Sequence, residues 1–176
     1  MDKKEIRKLM KEKRLLLNKE TFFKNNQSIT QQVLQHPLYK KAKKIGIYVS
    51  LPGEADTLSI IQQSFTTHEV YVPKVIGEEM EFYQIHSLND LKEGSFHVLE
   101  PITHKIIQPY DIDLMIVPLL AFDHSLYRVG YGKGYYDKYF ARGFQGYKIG
   151  LAFTFQEVNS IDINPFDYPL DEIITE

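Results

Sequence analysis

The sequence predicts an α/β fold: a single domain with a largely parallel sheet flanked by helices, and a helical pair at the N-terminus. Short apolar, β-branched runs alternate with segments of helical periodicity along the chain, a pattern typical of parallel sheets. The 176 residues suffice for one hydrophobic core. No linker, repeat or low-complexity segment divides them, so we expect one domain over residues 1–176.

The first 35 residues predict two amphipathic helices. Apolar residues recur at helical spacing over residues 2–17, among lysines and arginines, and again over residues 20–35, before Pro37. Lys3 and Arg7 are four residues apart and therefore share one face of the first helix. That face could be simply solvated, which the spacing alone favours, or it could reach back over a phosphate group.

Strands and further helices follow. The predicted strands cover residues 45–49, 70–73, 80–85, 113–117 and 148–152, with a short strand-like piece near the C-terminus. The run over 80–85 would lie near an edge of the sheet. Asp56 or Thr57 is a suitable N-cap for a helix that ends at about Ser64, and Phe153 to Val158 could form one helical turn. Residues 86–112 are polar and are expected to be irregular.

The stretch Arg128–Asp137, with the sequence RVGYGKGYYD, predicts an anion-binding loop. An apolar strand precedes it and a helical pattern over residues 135–141 follows. Its glycines let backbone N–H groups converge without clashes, and a helix N-terminus favours negative charge. Lys133 would add a full positive charge, and Asp137 could face a magnesium ion bound to the same phosphates.

Glycine spacing alone does not identify the ligand of this loop. The stretch is neither a Walker loop nor a Gly-x-Gly-x-x-Gly motif, and a flexible hairpin turn would also explain the glycines. The added lysine, tyrosine pair and carboxylate favour the nucleotide-phosphate interpretation. Nearby tyrosines could line a flat aromatic ligand or belong to the core; they are Tyr127, Tyr131, Tyr135, Tyr136 and Tyr139.

Glu54 is a second candidate, because it follows the predicted strand over 45–49. In an open α/β sheet, ligands bind at the carboxyl edge of the strands. A loop glutamate is usually only solvated, so its position does not establish a role.

Composition argues against several functional classes. The net charge is −2, so nothing attracts the whole chain to nucleic acid or anionic membranes. The chain has no cysteine, none of its six histidines has zinc-site spacing, and Gly-x-Ser-x-Gly is absent. The first residues lack a signal-peptide core, and no run approaches the roughly 20 apolar residues of a membrane span. We expect a cytoplasmic protein.

Four blocks of the chain resemble the 5-formyltetrahydrofolate cyclo-ligase family, also called methenyltetrahydrofolate synthetases. Residues 118–123 (PLLAFD) with 128–137 resemble the family signature, and Lys3-Lys4-Glu5-Ile6-Arg7 resembles its N-terminal Lys-x-x-Leu-Arg. The loop EADT at 54–57 is similar to Glu-x-Asp/Glu-Thr, and the tail from Asp167 to Glu176 is similar to the C-terminal block. Two residues depart from the family: Tyr131 replaces a frequent arginine, and Phe166 replaces a histidine.

The resemblance implies an ATP-dependent ring closure. The substrate would be 5-formyltetrahydrofolate, and the products 5,10-methenyltetrahydrofolate, ADP and phosphate. In the family mechanism the formyl oxygen attacks the γ-phosphorus, N10 attacks the resulting iminium phosphate, and phosphate leaves. No protein nucleophile is required, because phosphoryl transfer depends on positioning and charge neutralisation.

The resemblance also implies roles for individual residues. Lys133, Tyr135 and Arg7 would be catalytic. ATP would contact two segments, Lys3, Lys4, Glu5, Ile6 and Arg7, and then Arg128, Val129, Gly130, Tyr131, Gly132, Lys133, Gly134, Tyr135 and Tyr136. The folate would contact Arg7, Val49, Glu54, Tyr131, Gly132, Lys133, Gly134 and Tyr135. Asp137 and Asp167 would hold magnesium.

The resemblance also implies a set of partners, and two alternative functions stay open. We expect a monomer that uses ATP as a co-substrate and Mg²⁺ as a cofactor, with no nucleic acid or membrane partner. An ATP-dependent phosphotransferase acting on another small molecule would use the same loop. A non-catalytic protein that binds folate or a phosphorylated metabolite also stays open.

Overall fold

The computed structural model describes residues 1–94 and 97–176, and its centre is a seven-stranded sheet. The helices are α1 (Lys3–Leu15), α2 (Lys19–Gln35), α3 (Pro37–Lys41), α4 (Leu58–Ser64) and α5 (Tyr135–Phe140). The strands are β1 (Lys44–Ile47), β2 (Glu69–Ile76), β3 (Glu79–Ile85), β4 (Leu91–Glu93), β5 (Leu99–Pro101), β6 (Ile106–Ile107), β7 (Leu114–Val117), β8 (Ala121–Phe122), β9 (Arg128–Val129), β10 (Tyr147–Leu151) and β11 (Glu172–Ile174). The predicted α/β fold, with its largely parallel sheet and N-terminal helical pair, is confirmed.

The strand order places a topological switch point at the middle of the sheet. The order is β11-β10-β7-β1-β2-β3-β6. The five strands from β11 to β2 are parallel, and β3 and β6 are antiparallel additions. From β1 the chain continues to β2 on one side, and it later returns to β7 on the other side. Open sheets bind ligands at the carboxyl ends of two such strands.

The buried strands supply the core on both faces of the sheet. In β7, Leu114 and Ile116 belong to one buried cluster, and Met115 and Val117 belong to another. Successive side chains of a strand point to opposite faces, so a strand covered on both faces must be apolar throughout. This explains the continuous apolar run in the sequence.

The N-terminal helices begin at side-chain caps. The Asp2 carboxylate accepts a hydrogen bond from the Lys4 N–H, and Asn18 caps α2 through the Thr21 N–H. Because Asn18 already starts the second helix, α1 ends at Leu15 and not at residue 17 as predicted. Helix α1 buries Ile6 and Met10 in a small cluster with β8 and β9.

The prediction that residues 86–112 are irregular is wrong for the described part of that segment, and residues 95 and 96 lie outside the described residues. Strands β4 and β5 form a separate two-stranded sheet, and β6 extends the main sheet beyond β3. Strands of two or three residues show no alternation, so pairing and not sequence pattern reveals them. Among the described residues, no helix is both long enough and apolar enough to cross a membrane.

Strand β2 extends past Pro73, where the prediction ended it. Its pairing with β1 covers only Glu69 to Tyr71, whereas its pairing with β3 continues to Ile76. At Pro73 the strand is paired on one side, so the N–H that proline lacks is not needed there.

Gly146 makes a close backbone approach that a stability measurement can test. A Cβ at this position would lie 2.5 Å from the Ile112 carbonyl oxygen and 2.6 Å from that of Asp113. Because these are backbone atoms beside a buried strand, Gly146→Ala is expected to lower the free energy of unfolding by about 2–3 kcal/mol. Denaturant titration measures it. Gly77→Asn, at an open left-handed turn, is the matched control, and an equal loss in both variants would contradict the prediction.

Candidate active site

The carboxyl ends of β1 and β7 lead into the two loops that build the site. Residues 50–57 follow β1 and include Glu54. A hairpin of β8 and β9 follows β7, and the glycine-rich loop continues from it into α5. The two loops therefore meet at the switch point of the sheet, where an α/β fold binds ligands.

The predicted anion loop begins two residues later than expected. Arg128 and Val129 pair with Phe122 and Ala121 as β9. The buried Asp123 carboxylate stabilises this hairpin, because its Oδ1 accepts hydrogen bonds from the N–H groups of Ser125 and Tyr127. Sequence reasoning missed the hairpin, and its signal was the acidic residue that ends PLLAFD.

The loop itself has the backbone freedom that the glycines predict. Gly132 has φ 101° and Gly134 has φ 69°, a region that side chains rarely adopt. Lys133 between them is exposed and makes no ion pair or hydrogen bond in the described part of the chain. Helix α5 has only six residues, so its dipole attracts an anion less strongly than expected. Lysine and arginine side chains must therefore supply more of the positive charge at the loop.

Helix α1 places two cations against the site, so the face that they share is not simply solvated. The Arg7 Nε donates to the Gly130 carbonyl oxygen at 2.9 Å, and its guanidinium carbon would lie 3.4 Å from a Cβ at Gly132. The Lys3 Nζ lies 2.5 Å from Asp167 Oδ2. These contacts join the first helix to the glycine loop and to the C-terminal tail.

Two carboxylates lie close together beside these cations. The Asp137 Oδ1 accepts a hydrogen bond from the Tyr168 N–H at 3.0 Å. Burial raises the pKa of Asp137, and the charge of Asp167 raises it further, whereas the Tyr168 N–H, Arg128 and Lys3 lower it. Among the described residues, no cluster of three or more His, Cys, Asp or Glu could hold a metal alone. A cation here would need oxygen ligands from a substrate, which is the usual arrangement for Mg²⁺ with phosphates.

The Arg128 side chain connects the start of the glycine-rich loop to neighbouring parts of the fold. Its Nη1 donates to the Pro118 carbonyl oxygen at 3.0 Å, and its guanidinium lies 5.1 Å from the centre of the Tyr136 ring. Its Nε is buried and has no hydrogen-bond partner in the described part of the chain. Burial lowers the pKa of Arg128, and Asp137 opposes that effect. An unpaired buried donor beside carboxylates fits a site that accepts an anion.

Glu54 is buried, in contrast to an ordinary loop glutamate, with only 6% of its surface exposed. Its Oε1 accepts from the Leu51 N–H at 2.7 Å, and its Oε2 accepts from the Tyr131 hydroxyl at 2.9 Å. Burial raises the pKa of Glu54, whereas Leu51, Tyr131 and Arg14 lower it. A buried carboxylate whose raised pKa is partly offset by such neighbours is suited to binding a ligand that offers N–H donors.

The loop that carries Glu54 is rigid. The Thr57 hydroxyl donates to the Tyr48 carbonyl oxygen at 2.7 Å, and the Tyr48 hydroxyl donates to the Ala55 carbonyl oxygen at 2.6 Å. Val49 is buried beside them. An open groove of about 1120 Å³ borders this loop. Its lining includes Glu54, Phe22, Phe23, Leu51, Pro52 and Leu58, a mixture suited to an aromatic ligand with polar groups.

The tyrosines near the loop divide between core and site. Tyr139 is buried with its ring centre 4.9 Å from that of Phe82, so it belongs to the core. Tyr135 is half-buried, and Tyr131 is exposed and bonded to Glu54. Sequence reasoning missed Arg14, whose side chain crosses Gly53. The available signal was its position seven residues after Arg7, on the same face of α1.

A family model described as the 5-formyltetrahydrofolate cyclo-ligase family matches residues 1–176. A "Probable 5-formyltetrahydrofolate cyclo-ligase" from Schizosaccharomyces pombe is 32% identical over 168 residues, covering 84% of this chain and 82% of that protein. A "5-formyltetrahydrofolate cyclo-ligase" from Mycoplasma genitalium is 30% identical over 179 residues, covering 99% and 98%.

Solved structures agree with these sequence matches. The NMR structure of Aquifex aeolicus 5,10-methenyltetrahydrofolate synthetase superposes with a TM-score of 0.87 at 34% identity, covering 97% of this chain and 88% of that one. A 5,10-methenyltetrahydrofolate synthetase from Mycoplasma pneumoniae superposes with a TM-score of 0.81 at 28% identity, covering 99% of both chains.

Proposed function

The chain belongs to the 5-formyltetrahydrofolate cyclo-ligase family, and we propose that its switch-point cleft performs the ATP-dependent cyclisation of 5-formyltetrahydrofolate. The products are 5,10-methenyltetrahydrofolate, ADP and phosphate. One observation carries the proposal: α1 brings Arg7 onto the glycine loop and Lys3 onto Asp167. Cations, flexible backbone and carboxylates from distant parts of the chain thus gather where a nucleotide triphosphate would need them.

In this proposal the triphosphate lies along the loop from Arg128 to Tyr136. Backbone N–H groups of the loop bind its oxygens, and Lys3, Arg7 and Lys133 neutralise its charge. Lys4, Glu5 and Ile6 lie in the first turns of α1, and Ile6 is buried, so it positions this segment by packing. Lys133 is suited to the γ-phosphate, because no protein partner in the described chain holds it away.

The folate would bind between Val49, Glu54 and residues 131–135. Glu54 accepts hydrogen bonds from the pterin's N–H donors, and the groove beside it receives the aromatic remainder of the substrate. Tyr135 lies next to the formyl group, and Arg7 lies between the two substrates. This arrangement brings the formyl oxygen towards the γ-phosphorus.

The reaction then needs two displacement steps. The formyl oxygen attacks the γ-phosphorus and ADP leaves, which converts a poor leaving group into a phosphate ester. N10 attacks the formyl carbon, N10 loses its proton to solvent, and inorganic phosphate leaves with the former formyl oxygen. No protein nucleophile takes part, so the protein's contribution is orientation, exclusion of water and charge neutralisation.

We also propose that Asp137 and Asp167 hold Mg²⁺ together with phosphate oxygens. The two carboxylates lie near enough for the charge of Asp167 to act on the pKa of Asp137, and Mg²⁺ that is bound to phosphates needs few protein ligands. The bound ion would neutralise charge on the phosphates. All of the proposed residues come from one chain, so a monomer suffices, and the absence of cysteine fits a cytoplasmic location.

Asp137→Asn is expected to raise the Mg²⁺ concentration for half-maximal activity by roughly 10-fold or more, because the charge of one ligand is lost. The asparagine keeps the hydrogen bond to the Tyr168 N–H, so folding should be little changed. Titration of activity with Mg²⁺ at saturating ATP measures the effect. Asp111→Asn, at an exposed position, is the control. An unchanged magnesium titration in Asp137→Asn would remove Asp137 from the proposed site.

The proposed activity is tested by mixing purified protein with 5-formyltetrahydrofolate, ATP and Mg²⁺, and following the near-ultraviolet absorbance of 5,10-methenyltetrahydrofolate. Product is expected only when ATP is present. If ATP is consumed only with a different small molecule, the chain is a phosphotransferase. If folate binds without turnover, the chain is a binding protein, and either result overturns the proposal.

A further inference from the structure

The Tyr131–Glu54 pair lies beside a cation that none of the four matched blocks contains. The side chain of Arg14 in α1 crosses Gly53 so closely that a Cβ there would lie 2.7 Å from Arg14 Cδ and 3.3 Å from its Nε. Gly53 has φ 89°, so glycine serves both the backbone and this approach. This places the Arg14 side chain against the residue that precedes Glu54 in the chain, and its charge lowers the pKa of both Glu54 and Tyr131.

We propose that Arg14 is a positioning residue for substrate recognition: from its place over Gly53 it keeps the buried Glu54 carboxylate ionised for the N–H donors of the folate. This inference rests on the proposed function, since it assumes that Glu54 contacts the substrate. Arg14, a residue of α1, would thus balance the negative charge of Glu54 in this part of the cleft.

Glu54 needs such a partner because of its surroundings. Its other neighbours do not supply positive charge. Tyr131 and Leu51 are neutral donors, burial raises the pKa of Tyr48 and Tyr136, and Asp56 is acidic. Burial raises the pKa of Glu54. Among the described residues acting on that pKa, Arg14 is the cation that opposes burial.

The protonation state of Glu54 decides what it can bind. An ionised carboxylate accepts hydrogen bonds with both oxygens, whereas the protonated form presents an O–H donor in place of one acceptor. A ligand offering adjacent N–H groups therefore binds the ionised form. Without Arg14, the pKa of Glu54 would be higher. As the pH falls, a variant without Arg14 would therefore lose affinity for the folate at a higher pH than the wild-type protein.

The test compares Arg14→Gln with the wild-type protein. In ligand-free protein labelled with ¹³C at glutamate carboxyl groups, the pKa of Glu54 is expected to rise by about one pH unit, the usual effect of one nearby charge. The KM for 5-formyltetrahydrofolate is expected to rise roughly 10-fold near pH 6, and less at pH 8. The kcat and the KM for ATP should change less than about 2-fold.

Two variants separate charge from packing. Arg14→Lys keeps the charge and is expected to restore most of the pKa and KM. Lys8→Gln removes an exposed cation from the same helix and should change neither. Arg14→Gln with a wild-type Glu54 titration, or with a shifted titration and an unchanged folate KM, would overturn the proposal.

The proposed function can fail separately from this inference. If the wild-type protein forms no product, the reaction assignment is wrong. The dissociation constant for 5-formyltetrahydrofolate then replaces KM in the same comparison, and equal affinity in Arg14→Gln and wild type would still reject the role of Arg14.

Discussion

Lys133→Ala is expected to lower kcat/KM for ATP by roughly 10³-fold while leaving the free energy of unfolding unchanged. The side chain is exposed and, within the described ranges, makes no ion pair or hydrogen bond that folding depends on. In the proposed site its charge acts on the bound substrates, above all on the γ-phosphate of ATP, and not on the fold. The Lys133→Ala variant should therefore lose activity without losing stability.

Steady-state kinetics at varied ATP and a denaturant titration on the same preparation measure both quantities. Lys105→Ala is the matched control, since Lys105 is an exposed lysine outside the proposed site. Lys133→Arg is expected to recover only part of the activity, because a planar guanidinium does not replace a compact ammonium group on a short loop. Full turnover in Lys133→Ala would show that Arg7 and Lys3 suffice for the phosphates.

The sequence predicted those parts of the fold whose signals are local. The apolar run of β7 is continuous because both faces of the strand are covered, and α4 begins after the predicted cap position Thr57 and ends at Ser64. Strands β4, β5 and β6 have two or three residues and owe their existence to partners elsewhere in the chain. Such pairings leave no periodic trace in the sequence.

The candidate site was predictable to a similar extent. The positive φ angles at Gly132 and Gly134 follow from the motif, since only glycine adopts them freely. The approach of Arg7 to Gly130 depends on how α1 packs on the β8–β9 hairpin, which no local pattern specifies. For the same reason the position of Arg14 over Gly53 emerged only from the structure.

Glu54→Gln is expected to raise the KM for 5-formyltetrahydrofolate roughly 100-fold. Both oxygens of Glu54 accept hydrogen bonds, one from the Leu51 N–H and one from the Tyr131 hydroxyl. A glutamine has one acceptor and one NH₂ group: its oxygen can accept from the Leu51 N–H, and its NH₂ group can donate to the Tyr131 hydroxyl oxygen. We therefore expect the free energy of unfolding to fall by less than about 1 kcal/mol, since each group keeps a partner.

Kinetics at varied folate and at varied ATP measure the first effect, and thermal or denaturant unfolding measures the second. Glu78→Gln, at an exposed position, is the control for loss of one negative charge. The KM for ATP should change little, because in the proposed site the phosphates contact Lys3, Arg7 and Lys133 and not Glu54. An unchanged folate KM in a folded Glu54→Gln protein would exclude Glu54 from the pocket.

A double variant distinguishes direct contact with folate from an effect through the loop. In Tyr131→Phe/Glu54→Gln the glutamine oxygen can still accept from the Leu51 N–H, whereas its NH₂ group loses the tyrosine hydroxyl as an acceptor. Stability should therefore be lower than in Glu54→Gln alone. If Glu54 binds the folate through its charge, the KM of the double variant stays at the value for Glu54→Gln. If the KM rises further as stability falls, Glu54 acts only by holding residues 50–57 in place.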